Sequence, residues 1–168
     1  MALGLLIIRL AVGLTLAAHG AQKLFGVFGG HGLTGTAGFL ESIGFRPAKP
    51  LALLAGMGEL CGGLALALGL FTPLGASVVI ATMIVAVLSV HSEKGFFSQN
   101  GGYEFALIMA LSALGVAFAG PGPLSLDAAL GLSLSGNWWG IIAAALGVMG
   151  AAPPMLGRAV AARRRAST

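Results

Sequence analysis

The stretch LALLAGMGELCGGLALALGL, residues 51–70, decides how this chain folds. Its apolar and small residues are numerous enough to span a bilayer as a helix, and Glu59 is the one charged side chain among them. A carboxylate at the centre of such a helix costs roughly 2.5–3.5 kcal/mol to insert. The stretch therefore predicts a transmembrane helix whose buried acid needs a partner, a proton or a function.

The composition of the whole chain is that of an integral membrane protein. Of its 168 residues, 57% are hydrophobic and 8% are charged, whereas a soluble domain carries about 25% charged residues. So little charge cannot cover a water-facing surface, and the lipid bilayer is the expected environment. The net charge of +4 indicates membrane orientation, because Lys and Arg beside the spans set it. We expect no nucleic-acid partner.

Five apolar stretches predict an all-α fold, a polytopic membrane four-helix bundle with a fifth C-terminal transmembrane helix. The predicted spans are about residues 2–25, 51–70, 74–91, 103–119 and 138–149. The fifth is short, and Pro153-Pro154 is expected to kink or end it; the alternative is a helix that continues to Val160. The predicted organisation is a bundle over residues 1–130, an additional hydrophobic helix over 131–160 and a basic cytoplasmic tail over 161–168.

The segments between the spans also contain patterns that predict local structure. Residues 33–45 predict a short amphipathic helix at the membrane interface, with Phe39, Leu40 and Ile43 on its apolar side. Pro47 and Pro50 mark the entry to the second span. Thr72-Pro73 predicts a tight turn between the second span and the third.

The positions of the charges support five spans over four. With five spans, the Lys and Arg residues of the loops and the C-terminus fall on one side of the membrane, and the opposite side carries only Asp127. The positive-inside rule then places the basic side and the C-terminus in the cytoplasm. With four spans, the basic first loop and the basic tail would lie on opposite sides.

Polar residues of the first span are candidates to meet Glu59. Arg9, His19 and Lys23 fall within about 80° of one another on a helical wheel. Counting about 1.5 Å per residue from the first loop, His19 is nearest to Glu59 in depth. Arg9 is a second candidate, as a structural ion pair with Glu59.

Residues near the ends of the third and fourth spans are expected to lie in the same half of the bundle. The candidate buried polar site therefore consists of Arg9, His19, Lys23, Glu59, His91, Tyr103 and Glu104. A structural alternative applies to Lys23, His91 and Glu104, which lie near span ends and can extend to water. No catalytic residue can be assigned among these seven, and no metal site is predicted because their spacing matches no metal motif.

At these residues the chain resembles the DoxX family of small bacterial membrane proteins. The resemblance covers about residues 3–130, and the order and spacing of its pieces make it specific. The matching pieces are residues 9–13, 19–24, 35–36, 43–44, 59–63, 68–72, Glu104 and 122–127. The segment from Trp138 onward goes beyond the usual four-helix pattern of the family.

The resemblance implies a four-helix membrane bundle of the bacterial plasma (inner) membrane with redox associations. Relatives in this family include the DoxD-type subunit of thiosulfate:quinone oxidoreductase, and others are associated with thiol redox balance. The fold is also similar to that of vitamin K epoxide reductase, whose cysteine pairs this chain lacks, because Cys61 is its single cysteine.

Three functions follow as hypotheses. The first is a redox-associated subunit, quinone-linked or active in thiol stress, in which a quinone would sit near Glu59 and His19 and electrons would come from protein partners in a redox complex. The second is a non-enzymatic scaffold that holds soluble redox enzymes at the membrane. The third is a conduit for protons or a small solute, which so short a chain would form as a homo-oligomer.

Overall fold

The computed structural model describes residues 2–166, with side chains described for residues 2–163. Within these residues every regular element is a helix and there are no strands, which confirms the all-α prediction. The helices are α1 (Ala2–Phe25), α2 (Gly32–Ser42), α3 (Ala48–Leu68), α4 (Thr72–Ala86), α5 (Glu104–Ala119), α6 (Leu126–Ala129) and α7 (Asn137–Ala166). A π-helical turn, Val87–His91, and a 3-10 turn, Ser92–Lys94, prolong α4.

Four helical segments of the described chain are long and apolar enough to cross a membrane. They are Ala2–Phe25, Ala48–Leu68, Thr72–Lys94 and Asn137–Arg163. The helix α5 is also apolar but has 16 residues, a length of about 24 Å against a hydrocarbon core of about 30 Å. The chain is thus a multi-pass membrane protein, and α5 is shorter than each of these four segments.

Glycines bring α1 and α3 into close antiparallel contact. A Cβ atom at Gly20 would lie 2.6 Å from the main-chain oxygen of Gly56, and one at Gly63 would lie 2.7 Å from the main-chain nitrogen of Ala17. Any side chain at these positions would push the helix backbones apart. The long stretch of α1–α3 contact holds Glu59, between Gly56 and Gly63, inside the bundle.

The other helices complete the core around α4. Helix α4 packs against α3, α5 and α7, and the buried cluster includes Leu16 of α1, Leu66 of α3, Val79 of α4 and Val116 of α5. Helix α2 packs across α1 and α3. The amphipathic helix predicted for residues 33–45 is therefore present, over Gly32–Ser42.

Of the two interpretations of the fifth stretch, the helix that continues past the paired prolines agrees with the structure, and the one that ends at them does not. Helix α7 contains Pro153 and Pro154 and continues through them to Ala166. Burial of one face, with Ala143 and Ala151 inside the bundle, offsets the backbone hydrogen bonds that the prolines remove. Beyond the prolines, Nε of Arg158 donates to the main-chain oxygen of Ile43 at 2.9 Å, which ties α7 to the connection between α2 and α3.

Candidate functional site: a buried ion pair beside an apolar cavity

The partner of Glu59 is Lys23. The Nζ atom of Lys23 donates a hydrogen bond to Oε1 of Glu59 and forms an ion pair with it. The Glu59 side chain is 4% exposed, whereas that of Lys23 is 35% exposed. The pair thus joins a fully buried anion to a cation that retains access to the surface.

The expectation that His19 is the nearest partner of Glu59 is wrong, and the reason is the direction of its side chain. His19 does lie level with Glu59, because a Cβ on the neighbouring Gly20 would clash with the main-chain nitrogen of Leu60. The His19 ring, however, packs against Phe105 of α5. The longer side chain of Lys23, one turn further along α1, reaches Glu59 instead.

The ion pair lies in the wall of a partly enclosed cavity of about 290 Å³. Helix α2 contributes Phe39 and Leu40, α3 contributes Leu54 and Glu59, and α4 and α7 supply the opposite wall. Apart from Lys23 and Glu59, no charged side chain of the described residues lines this cavity. Its size is at the lower end of small-molecule pockets, about 300–1,000 Å³, and its chemistry suits an apolar molecule with a polar end.

One oxygen of Glu59 is left without a hydrogen bond in this arrangement. Among the described side chains, Oε2 of Glu59 is a buried polar atom with no hydrogen-bond partner. A buried carboxylate oxygen of this kind costs free energy unless it receives a donor. Glu59, a residue of the cavity wall, therefore has an unused hydrogen-bond acceptor, while the Lys23 ammonium compensates the negative charge.

Arg9 belongs to a second buried polar cluster, at the other end of α1. Its guanidinium donates through Nη1 to the main-chain oxygen of Pro121 and through Nη2 to that of Leu124. The side chain is fully buried, and the nearby Asp127 acts on it electrostatically. The suggested Arg9–Glu59 ion pair is therefore wrong, because Arg9 anchors the loop after α5.

Asp127 is the polar residue whose role the sequence left unassigned. Its carboxylate is fully buried and accepts hydrogen bonds from the main-chain nitrogens of Phe71 at 2.7 Å and Thr72 at 2.9 Å, and from Oγ1 of Thr72 at 2.7 Å. It thereby caps the first turn of α4. The signal available in the sequence was its isolation, as the one charge that the five-span prediction puts on its side of the membrane.

The four remaining candidates have other partners. The ring of His19 packs against that of Phe105, with centroids 5.3 Å apart. Nδ1 of His91 lies 2.6 Å from the main-chain oxygen of Gly101. The Tyr103 ring stacks edge-on against Phe96, and Oε2 of Glu104 accepts from the main-chain nitrogen of Ser98 at 3.0 Å.

Of the seven candidates, only Lys23 and Glu59 line the cavity. His91, Tyr103 and Glu104 instead order the loop between α4 and α5. In the described part of the chain, no group of three or more His, Cys, Asp or Glu residues is arranged to hold a metal ion.

Fold and site together define a polytopic helical membrane protein with a buried acid–base pair at an apolar cavity. The DoxX family matches residues 4–92, which include both Lys23 and Glu59, and the chain belongs to this family. A protein of Haemophilus influenzae named "Uncharacterized protein" is 32% identical over 127 residues, which are 71% of this chain and 85% of the relative.

A second relative carries a functional name. The Bacillus subtilis protein named "Putative oxidoreductase CatD" is 30% identical over 125 residues, covering 74% of this chain and 85% of that protein. No solved structure matches this chain.

Proposed function

We propose that this protein is a redox-associated subunit of the bacterial inner membrane that binds a quinone beside Glu59 and Lys23. The observation that carries the proposal is the buried oxygen Oε2 of Glu59, which lacks a hydrogen bond among the described side chains in the wall of an apolar cavity. A second support is the name of the Bacillus subtilis relative, which suggests oxidoreductase chemistry in this family.

The residues of the cavity fit the two parts of a quinone. Its apolar walls, with Phe39, Leu40 and Leu54 among them, match a ring with a hydrocarbon chain. At the polar end, Lys23 can donate to a carbonyl oxygen, and Oε2 of Glu59 can accept from a hydroxyl. A bound quinone would supply two-electron, two-proton redox chemistry.

The roles of the two side chains differ. Glu59 would take up and release a proton at Oε2, and Lys23 would keep its carboxylate charged between these steps. Electrons would come from a protein partner, because Cys61 is the single cysteine and cannot form an internal disulfide. We also propose that the C-terminus is cytoplasmic and that the electrons arrive from that side, since the cavity lies toward the basic end of the bundle.

The same proposal covers the organisation of the chain. Residues 1–130 would form the family bundle, residues 131–160 an additional helix that closes the cavity, and residues 161–168 a basic cytoplasmic tail. Residues 167 and 168 of that tail lie outside the described part of the structure. Assembly as a homo-oligomer or with redox partners belongs to the proposal as well.

Direct binding in lipid nanodiscs tests the quinone site. Decylubiquinone and its reduced form are titrated against the full chain and the Glu59→Gln variant. Because a hydrogen bond to a charged group contributes about 1.5–3 kcal/mol, Glu59→Gln should weaken binding of the reduced form about ten- to a hundredfold. Glu93→Gln removes an exposed carboxylate outside the cavity and should bind as the wild type does; equal affinity of all three proteins would refute the site.

A membrane scaffold is the second candidate function, and the Lys23–Glu59 ion pair is the observation that favours it. In that case the pair only holds α1 against α3. Glu59→Gln would then lower thermal stability and the yield of any co-purified redox complex, while quinone binding to the wild type would be absent.

A further inference from the structure

Helix α7 forms part of the cavity through its backbone. Gly150 and Pro154 both line the cavity, and their spacing of four residues places them on one face of the helix. Glycine has no side chain, so Gly150 contributes main-chain atoms to the wall. A Cβ at this position would lie 3.3 Å from the Cβ of Ala81, a cavity residue of α4.

Pro154 removes the helical partner of the Gly150 carbonyl. In an α-helix the N–H of residue 154 bonds to the oxygen of residue 150, and proline has no N–H. Since α7 is helical across this position, the Gly150 oxygen lacks its usual donor. Among the described side chains, none donates a hydrogen bond to it, whereas Arg158 donates to Ile43.

The hydroxyl groups in the cavity wall already form hydrogen bonds with other main-chain oxygens. The single Oγ1 hydroxyl of Thr36 is shared between the main-chain oxygens of Lys23, at 3.0 Å, and Gly32, at 2.9 Å. Oγ1 of Thr82 lies 2.9 Å from the oxygen of Val79 and Oγ of Ser89 lies 2.5 Å from that of Val85. A carbonyl without a donor is costly at membrane depth, and the Gly150 oxygen is therefore able to accept a hydrogen bond from a ligand hydroxyl.

We infer that the Gly150 carbonyl, exposed by Pro154, is a hydrogen-bond acceptor for the cavity ligand and makes the site prefer the hydroxyl-bearing, reduced form. This inference rests on the proposed quinone site. A hydroquinone hydroxyl can donate to this oxygen, whereas a quinone carbonyl cannot. The additional helix α7 therefore contributes to the redox preference of the site.

The test compares two adjacent prolines. Pro154→Ala and Pro154→Val restore the N–H that pairs with Gly150, and valine also keeps side-chain bulk at the cavity. Pro153→Ala is the matched control, because it restores the bond to Met149, whose side chain is 66% exposed and which does not line the cavity. All variants retain the full chain and are titrated in nanodiscs with decylubiquinol and decylubiquinone.

Both Pro154 variants should lower the ratio of decylubiquinol affinity to decylubiquinone affinity about three- to tenfold, the effect of one neutral hydrogen bond. A change in side-chain contact at position 154 affects both redox forms alike and cancels in this ratio. Both affinities of Pro153→Ala should equal those of the wild type. If the Pro154 variants keep the wild-type ratio of the two affinities while Glu59→Gln weakens binding of the reduced form, this inference fails and the quinone site stands. If the wild type binds neither form, the proposed function fails and the inference fails with it.

Discussion

Replacing Lys23 by methionine should destabilise the bundle more than replacing Glu59 by methionine. Methionine has nearly the length of both side chains, so each variant removes a charge with little change in volume. The Lys23→Met variant leaves a carboxylate that is 4% exposed without its cation, whereas Glu59→Met leaves an ammonium that is 35% exposed. The two halves of one ion pair therefore have unequal consequences.

The exposure of the side chain that remains determines how much each variant lowers the free energy of unfolding. Breaking a buried ion pair costs about 3–5 kcal/mol, and the partial exposure of Lys23 reduces this to about 2–3 kcal/mol for Lys23→Met. The Glu59→Met variant removes the anion that is costly to insert and leaves a lysine that can extend to water, so its change should stay within about 1 kcal/mol. The double variant should also lie within about 1 kcal/mol of the wild type.

Unfolding of the purified protein in mixed micelles by added SDS, followed by far-UV circular dichroism, measures these differences. The chain offers a matched control in the Glu41–Arg46 ion pair, whose N–O distance is 2.9 Å and whose side chains are 52% and 55% exposed. The same set of substitutions there should show a coupling below about 1 kcal/mol. If Lys23→Met costs no more than Glu59→Met, the buried carboxylate does not depend on Lys23, and the reasoning is wrong.

Three further substitutions test the architecture by the same unfolding measurement. Asp127→Asn should cost about 2–4 kcal/mol, because an amide cannot accept all three hydrogen bonds from Phe71 and Thr72; a loss below 1 kcal/mol would contradict its capping role. Gly20→Val should reduce the yield of folded protein, since its Cβ would lie 2.6 Å from the Gly56 oxygen; normal yield and stability would show that α1 and α3 can separate. Ser125→Ala removes the side-chain acceptor for the Ala128 nitrogen and should cost about 1 kcal/mol, and an unchanged midpoint would contradict this.

The positions of the membrane-spanning helices in the sequence could be predicted, because each one requires a run of consecutive hydrophobic residues. The apolar stretches place all five bundle helices. Thr72 and Pro73, which were predicted to form the turn, are instead the first residues of α4, and the turn precedes them at residues 69–71. The fifth helix was underestimated at Pro153-Pro154, because the packing of α7 against α4 and α5 stabilises a helix that its local sequence would interrupt. Local propensity yields to tertiary contacts at such positions.

The pairing of the polar residues could not be predicted in the same way. Helical periodicity places Arg9, His19 and Lys23 on one face but does not say which neighbouring helix each side chain contacts. The His19 ring packs on Phe105 of α5, and the longer Lys23 side chain becomes the partner of Glu59. Asp127 can cap α4 only because the loop that carries it returns to the start of that helix. The spacing of residues in the sequence does not indicate this contact.

The sequence by itself determined that this is a helical membrane protein of the DoxX type and that Glu59 is its most costly side chain, because insertion energies depend on residue type and position along a helix. Only the tertiary structure decided that Lys23 compensates that carboxylate, that Arg9 and Asp127 form a separate cluster, and that α2, α3, α4 and α7 enclose a cavity beside Glu59. The physical reason is that ion pairs and cavities depend on the relative register and rotation of helices, which arise from the packing of many side chains together.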